Sequence, residues 1–371
     1  MLGFFRERGY KLGWIGKNHT FQDHCLRELD VWNERARESF RRYNAYVPPC
    51  WHSDMYLEEE KLHGTITTQK SIEFIRQKKD EPFFLHISYF DPHPPYFAPS
   101  AYTSRYCSQD IHLPPSVLPK PSARLNDYAK ALHYDQLTDS DLTETLRYYY
   151  ASVEWGVDYQ VGRVLKTLRD TGLEDNTIVL FMSDHGDFMG DFRMVRKGMF
   201  LYDALLHAPL IWHAPGLIKQ GQRVANLVQG VDIFPTFLDL IDNKTNPNMP
   251  GRSLVPFLQG KSKEEPEYTI YASAAYSDLK DDYFQNPEPR IDLESGDPFH
   301  TRIYRRTWKA DQRTAMARTR DWKLILNESQ PPELYNMNSG YLETENLAKS
   351  PEYTKVRKTL EQRIKNNWDW R

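Results

Sequence analysis

Short apolar stretches that alternate with helical segments constrain the fold of this chain most strongly. The apolar stretches are YKLGWI at 10–15, FFLHISYF at 83–90, TIVLFMS at 177–183 and PLIWHA at 209–214. Continuous runs of this kind are typical of strands buried on both faces of a parallel sheet. Helical patterns over 65–78, 139–171 and 232–241 alternate with them. The alternation predicts an α/β fold with a mainly parallel central sheet flanked by helices on both faces.

The sequence pattern changes after about residue 260. Within 301–327, TAMARTR alternates like a strand and WKLIL is a short apolar run, and 351–366 has a helical pattern. We therefore expect a smaller C-terminal antiparallel sheet with a closing helix. The predicted domains are a larger α/β domain over 1–260, expected to be incomplete at its N-terminus, and a smaller α+β subdomain over 261–371. The basic residues of the predicted sheet are expected on a solvated face beside an acidic loop.

Composition excludes several functional classes. The 371 residues include 48 Lys and Arg against 51 Asp and Glu, a net charge of −3. This balance gives no electrostatic basis for binding nucleic acid or an anionic membrane. The mean hydropathy is −0.71, and no apolar run approaches the ~18 residues of a membrane helix. We therefore expect neither a nucleic-acid nor a membrane partner. No signal peptide is visible, and the cellular location stays open.

Polar and charged side chains directly follow three of the predicted strands. In chain order they are Lys17, His19, His93, Asp184, His185 and Lys197. In open α/β sheets, sites form beyond the carboxyl ends of the strands, so the three loops are expected to open on one edge. The sequence therefore predicts that these six side chains line a single cleft.

The residue types in these loops suit a tetrahedral anion beside a metal ion. The lysine ammonium is a compact charge that matches sulfate or phosphate oxygens. Histidine can donate a proton to a leaving oxygen near neutral pH. Asp184 offers a hard oxygen ligand and His185 a nitrogen ligand. We expect a sulfate-sized anion and one divalent ion in the cleft.

The order and spacing of these loops resemble the type I sulfatases of the alkaline-phosphatase superfamily. The matching stretches are RERGYKLGWIGKNHT (6–20), PFFLHISYFDPHPPY (82–96), YYASVEWGVDYQVGRVLKTL (149–168), SDHGDFMGDFRMVRKGMFLYDALLHAPLIWHAPG (183–216), PGRSLVPFLQG (250–260) and DWKLILNESQPPELYNM (321–337). The SDHG form of the fourth stretch is similar to iduronate-type and choline sulfatases and to phosphonate monoester hydrolases.

This resemblance implies roles for four of the loop residues. Lys17 and Lys197 would bind the sulfate group of the substrate. His19 would support the nucleophile, and His93 would protonate the leaving alcohol. The implied substrate is a small-molecule or saccharide sulfate ester, whose carbon skeleton the sequence leaves open.

The same resemblance implies two cofactors. Asp184 with His185 would ligate calcium, and a formylglycine made from the cysteine of a Cys-x-Pro/Ala-x-Arg motif would be the nucleophile. No such motif surrounds Cys25, Cys50 or Cys107, and the paired aspartates that open the family's first strand do not occur either. We therefore expect the opening segment to be absent here, through a truncated gene model, a fragment or true loss. The chain alone is then expected to bind calcium poorly and to hydrolyse sulfate esters negligibly.

Three functions compete at this point. The first is a sulfate-ester hydrolase without its nucleophile segment. The second is a phosphodiesterase or phosphonate monoester hydrolase of the same superfamily. The third is a non-catalytic relic that binds anions or a partner without turnover.

Overall fold

The structure is a computed structural model of the chain. It describes residues 1–18, 29–33, 60, 62–115, 122–242, 248–262, 265, 268–274, 313–328, 330–339 and 342–368.

Helices and strands alternate along the first two thirds of the chain, and strands dominate the last third. The helices are α1 Leu2–Glu7, α2 His63–Lys78, α3 Ser100–Thr103, α4 Ala123–Ala131, α5 Asp139–Val153, α6 Gln160–Asp170, α7 Asp203–Leu206, α8 Ile233–Asp242, α9 Val255–Leu258 and α10 Thr354–Asn367. The strands are β1 Lys11–Gly16, β2 Val31–Asn33, β3 Phe83–Ser88, β4 Val179–Met182, β5 Leu210–His213, β6 Ile270–Ala274, β7 Thr314–Arg318, β8 Trp322–Asn327 and β9 Glu333–Asn336.

The described residues form two compact units. The first contains residues 1–113 and 137–177, and the second contains the described residues of 114–136 and those from 178 onward. The functional division at residue 260 that the sequence suggests stays a prediction.

A parallel sheet with the order β2-β1-β3 forms the centre of the first unit. β1 pairs with β3 from Lys11 opposite Phe83 to Gly16 opposite Ser88. Because the two strands run in the same direction, their carboxyl ends lie at the same edge of the sheet. The loops that follow β1 and β3 therefore start side by side.

Helices pack on both faces of this sheet. Phe83 and Phe84 are neighbours on β3, so their side chains lie on opposite faces. The Phe84 ring stacks on Phe5 of α1 at 4.4 Å between ring centroids, and Phe83 meets Phe74 of α2 edge to face at 5.8 Å. These contacts confirm the predicted parallel sheet with helices on both faces.

The long helix predicted over 139–171 contains a break in its hydrogen-bond pattern. Thr138 begins α5 with a capping box, in which Thr138 and Asp141 satisfy each other's backbone N–H groups. The six residues Glu154–Tyr159 between α5 and α6 form one turn of π-helix, called the π-turn below. Turns of this kind widen a helix locally and often occur at functional sites.

In the second unit, one predicted strand runs in the opposite direction to that expected. β4 and β5 pair antiparallel, with Val179 opposite His213, and do not join a parallel ladder. Parallel strands need a crossover connection, usually a long helix. Residues 183–209 contain only the short helical segments Asp191–Arg193 and α7, so the chain returns beside β4 in the reverse direction.

The C-terminal antiparallel sheet and its closing helix are confirmed. The sheet has the order β6-β7-β8-β9, and all its neighbouring strands are antiparallel. Leu324, Leu326 and Ala317 pack against Leu360 and Ile364 of α10. The alternation in TAMARTR and the apolar run WKLIL therefore both supply side chains that this helix buries.

The basic residues of this sheet do not all lie on a solvated face, as the sequence suggested. Lys323 has no exposed surface, and its Nζ lies 2.8 Å from Asp203 Oδ1 and 2.8 Å from Glu343 Oε1. Burial raises the pKa of Glu343 to about 7 in spite of the lysine. Burial opposes ionisation of Asp203 too, but the charges of Lys323 and Arg318 bring its pKa below the ordinary value. Partners distant in sequence thus allow a lysine to be buried.

No described helix combines the length and apolar character that crossing a membrane demands.

We expect Lys323→Met to destabilise the fold strongly. The substitution leaves Glu343 buried without its cation and Asp203 with Arg318 alone, and breaking a buried ion pair in this way costs about 3–5 kcal/mol. Chemical denaturation measures the change in the free energy of unfolding. Lys358→Met on the exposed side of α10 is the matched control, and equal stability of the two variants would contradict the expectation.

Candidate functional site

The exit from β1 is fixed by a close backbone approach. Gly16 has φ of +105°, and a Cβ at this position would lie 2.0 Å from the carbonyl oxygen of Ser88. Lys17 N–H donates a hydrogen bond to the same oxygen at 3.1 Å. Only glycine fits here, and its conformation places Lys17 beside the end of β3. His19, the second residue predicted for this loop, lies outside the described residues.

Lys17 and His93 meet around one aromatic ring in the first unit. Lys17 Nζ lies 5.1 Å from the centroid of the Phe90 ring, within the range of a cation–π contact. The imidazole of His93 lies 4.5 Å from the same ring, centroid to centroid. The loops after β1 and β3 therefore place a lysine and a histidine around one aromatic ring at the edge of the parallel sheet.

The hydrogen bond of His93 selects its tautomer. His93 Nδ1 lies 2.8 Å from the carbonyl oxygen of Pro94, which can only accept, so Nδ1 carries the proton in the neutral ring. Nε2 then carries the lone pair of the neutral ring. Protonation of Nε2 gives the imidazolium, the form that can donate a proton to a leaving oxygen.

A buried carboxyl group lies two residues before His93. Burial raises the pKa of Asp91 to about 7, although hydrogen bonds from its own backbone and from Ser152 lower it. The sequence analysis did not single out Asp91. Its position between the end of a buried strand and a candidate catalytic histidine was the available signal.

In the second unit, Asp184 and His185 directly follow β4. The Asp184 side chain is 78% exposed, and its Oδ2 lies 3.6 Å from His185 Nε2. His185 Nδ1 donates to the carbonyl of Gly186 at 2.8 Å. The lone pair of the neutral ring is therefore on Nε2, which faces Lys197 Nζ at 2.6 Å.

Lys197 is held at its backbone and desolvated at its side chain. The hydroxyl of Tyr128 on α4 donates to the carbonyl oxygen of Lys197 at 2.9 Å. Burial lowers the pKa of Lys197, while Asp184 and Asp187 oppose this effect. Burial also raises the pKa of Asp187 to about 7, against the charge of Lys197. The sequence analysis found Lys197 but neither Tyr128 nor Asp187.

Several residues of the segment between β4 and Lys197 adopt a left-handed backbone. The non-glycine residues with positive φ there are Met189 (40°), Phe192 (53°), Arg193 (55°) and Arg196 (64°). Each such conformation costs of order 1 kcal/mol or more, and such residues cluster at functional sites. Their concentration beside Asp184, His185 and Lys197 marks this loop as a candidate functional segment.

The donors after β4 suit a divalent cation in part. Asp184 supplies a carboxylate, and His185 supplies an Nε2 lone pair whose orientation is fixed through Nδ1, as in metal-binding histidines. The ammonium of Lys197 contacts this nitrogen, so a positive charge already sits at the lone pair. Within the described part of the chain, however, no group of three His, Cys, Asp or Glu side chains is placed to hold a metal.

The structure thus assembles two lysine–histidine pairs, one in each unit. The first is Lys17 with His93, and the second is Lys197 with His185 beside Asp184. The single cleft that would hold all six predicted residues stays a prediction.

The fold defines this chain as an α/β protein with a parallel sheet and a C-terminal antiparallel sheet. The family model described as Sulfatase matches residues 1–243. The chain therefore belongs to the sulfatase family.

Curated relatives are longer than this chain. A multifunctional alkaline phosphatase superfamily protein, PehA of Trinickia caryophylli, is 25% identical over 93% of this chain and 65% of its own length. An arylsulfatase of Clostridium perfringens is 29% identical over 71% of this chain and 63% of its own. A choline-sulfatase of Rhizobium meliloti is 26% identical, and the match covers 77% of this chain and 51% of the relative. The chain thus spans about half to two thirds of the length of these relatives.

Solved structures share the fold. A phosphonate monoester hydrolase from Silicibacter pomeroyi superposes with a TM-score of 0.73 at 21% identity, covering 99% of this chain and 79% of that one. A protein solved in complex with D-glucosamine-2-N,6-O-disulfate gives a TM-score of 0.71 at 20% identity, covering 99% of this chain and 81% of that one.

We expect Asp91→Asn to stabilise the protein at alkaline pH relative to the wild type. The folded-state pKa of about 7 lies above the ordinary value of 3.8, so the contribution of Asp91 to stability falls as the pH rises from about 4 past 7. Asparagine keeps the size of the side chain and has no such dependence.

Thermal or chemical unfolding at pH 5 and pH 8 measures the effect. The difference in the free energy of unfolding between Asp91→Asn and wild type should rise by on the order of 1–3 kcal/mol over this range. Asp80→Asn at an exposed position is the control. A difference that is flat with pH would show that Asp91 is ionised throughout.

Proposed function

We propose that this protein hydrolyses sulfate esters. The observation that carries the proposal is the pairing of a lysine with a histidine at Phe90 in one unit and after β4 in the other. Ammonium groups beside proton-exchanging imidazoles suit an ester whose anionic group must be bound and whose leaving oxygen must be protonated. Membership of the sulfatase family supports the same chemistry.

Each named side chain has a distinct task in this proposal. The ammonium groups of Lys17 and Lys197 bind the oxygens of the sulfate group. His93 Nδ1 keeps its proton in the hydrogen bond to the Pro94 carbonyl, and the protonated Nε2 donates a proton to the leaving alcohol. His19 supports the nucleophile according to the family resemblance. Desolvation of Lys197 strengthens its attraction for an anion because the local dielectric is low.

Asp184 and His185 are the proposed ligands of a divalent ion, calcium according to the family resemblance. When bound, such an ion supplies positive charge that neutralises the sulfate oxygens. Formylglycine, the nucleophile that the resemblance implies, is assigned to no residue of this chain. The wide exposure of the Asp184 carboxylate leaves its oxygens accessible for coordination.

The proposed substrates are small-molecule or saccharide sulfate esters. This class agrees with relatives named arylsulfatase and choline-sulfatase and with the solved complex of a disulfated glucosamine. Phosphonate or phosphate ester hydrolysis is the second candidate. The similarity to a phosphonate monoester hydrolase and to a multifunctional member of the superfamily favours it.

One set of assays distinguishes the three candidate functions. The protein is assayed with 4-nitrophenyl sulfate, 4-nitrophenyl phenylphosphonate and bis(4-nitrophenyl) phosphate, and inorganic sulfate binding is measured by calorimetry. A preference for the sulfate ester in kcat/KM supports the proposal. A preference for the phosphonate or the phosphodiester selects the second candidate. Sulfate binding without turnover of any ester selects the non-catalytic reading.

We expect Lys197→Ala to weaken the binding of inorganic sulfate by about ten- to a hundredfold, because a charge-assisted hydrogen bond contributes about 1.5–3 kcal/mol. Lys17→Ala should have a similar effect. Isothermal titration calorimetry gives the dissociation constants. Lys130→Ala, which removes an exposed lysine of α4, is the control. Unchanged binding in both site variants would remove the lysines from the anion site.

His93→Ala tests the role of proton donor wherever turnover is measurable. A general acid matters most when the leaving group is poor, so kcat for phenyl sulfate should fall by about 10²-fold or more. The loss for 4-nitrophenyl sulfate should be much smaller, because nitrophenolate leaves without a proton. Equal losses for both esters would argue that His93 only shapes the site.

A further inference from the structure

The carboxyl group of Asp91 lies in a socket that two glycines leave open. In the π-turn between α5 and α6, a Cβ on Gly156 would lie 2.6 Å from both Cβ and Cγ of Asp91. On α2, a Cβ on Gly64 would lie 3.0 Å from the Gly156 carbonyl and 3.5 Å from Asp91 Oδ2. We define the socket by Gly64, Ser152 and Gly156. Any side chain at Gly156 would collide with Asp91.

Within the socket, a side-chain hydroxyl forms a hydrogen bond with the Asp91 carboxyl. The hydroxyl of Ser152, itself only 1% exposed, shares a hydrogen bond with the Asp91 carboxyl. The Asp91 Oδ2 atom is buried and has no hydrogen-bond partner among the described residues. A buried carboxyl that is incompletely hydrogen-bonded costs stability. Hydrogen bonding within the socket therefore does not by itself account for a carboxyl group at this position.

The backbone around Asp91 couples the socket to His93. His93 N–H donates to the Phe90 carbonyl at 3.0 Å, which closes a tight turn whose two central residues are Asp91 and Pro92. The His93 ring packs on Phe90 at the other end of this turn. A displacement of the Asp91 side chain therefore moves the corner of the turn that carries the imidazole.

We propose that Asp91 is a positioning residue for His93, and that the socket on α2 and the π-turn sets the orientation of the imidazole. The inference rests on the proposed function in one respect, namely that the proposed function makes His93 the proton donor. The π-turn has a specific part in this arrangement. It places Gly156 against the carboxyl of Asp91, beside Ser152 at the end of α5.

The experiment compares two glycines of neighbouring helical segments. Gly156→Ala introduces the collision with Asp91, whereas Gly162→Ala on α6 is its control, because a Cβ at Gly162 meets nothing within 4 Å. The readout is NMR of the protein with isotope-labelled histidine. The His93 signals are assigned by their loss in His93→Gln. Their ¹⁵N shifts report the tautomer, and their pH titration reports the imidazole pKa.

We expect Gly162→Ala to retain the wild-type His93 signals, with the proton on Nδ1. In Gly156→Ala and in Asp91→Ala this tautomer preference should be lost and the imidazole pKa should shift, at temperatures where circular dichroism shows a folded protein. Asp91→Asn retains the shape of the side chain and should restore the wild-type signals. If Gly156→Ala fails to fold, Asp91→Ala and Asp91→Asn still form a complete comparison.

Wild-type His93 signals in folded Gly156→Ala and Asp91→Ala would overturn the proposal, even if both variants melt at lower temperature. That result would leave Asp91 a purely structural residue. The readout uses neither sulfate nor turnover. Failure of the proposed function would appear in the ester assays and leave this result unaffected, so the two failures are distinguishable.

Discussion

Parallel pairing of β1 with β3 is the constraint on which the first half of the candidate site depends. The ladder ends with Gly16 opposite Ser88, and the approach of these two backbones admits only glycine. Because both strands end at the same edge, Lys17 and His93 emerge beside one another and share the Phe90 ring. A one-residue slip in this register would turn every side chain of the strand to the other face. The site is therefore a direct product of strand register.

Buried ionisable groups appear in both units, but their surroundings differ. Lys323 is buried in the C-terminal sheet. Its Nζ lies 2.8 Å from a carboxyl oxygen of Asp203 and 2.8 Å from one of Glu343. Asp91 has a serine hydroxyl and its own backbone as partners, and its pKa rises to about 7. Lys197 is desolvated but faces the carboxylates of Asp184 and Asp187. Lys323 thus has two carboxyl partners in direct contact, whereas no cation contributes to the pKa of Asp91.

Family membership and local geometry support the function by separate routes. The sulfatase family model covers residues 1–243, while the lysine–histidine pairs come from the contacts of individual side chains. The solved structures with a similar fold include a phosphonate monoester hydrolase and a protein bound to a sulfated sugar. A phosphonate monoester and a sulfated sugar both carry a tetrahedral anionic group.

The sequence by itself determined the elements whose signal is local. Continuous apolar runs identified β1, β3 and β4, and alternation with a short apolar run identified the C-terminal sheet. Strand-end positions selected the candidate residues Lys17, His93, Asp184, His185 and Lys197. Only the tertiary structure decided the direction of β5, because strand direction depends on the path of residues 183–209 and not on the strand's own residues. It also decided the burial of Lys323, whose partners lie far away in sequence. The socket of Asp91 required three segments of the chain, and no periodicity within any one of them records such a contact. Long-range packing is therefore what converts the predicted loops into the two lysine–histidine pairs.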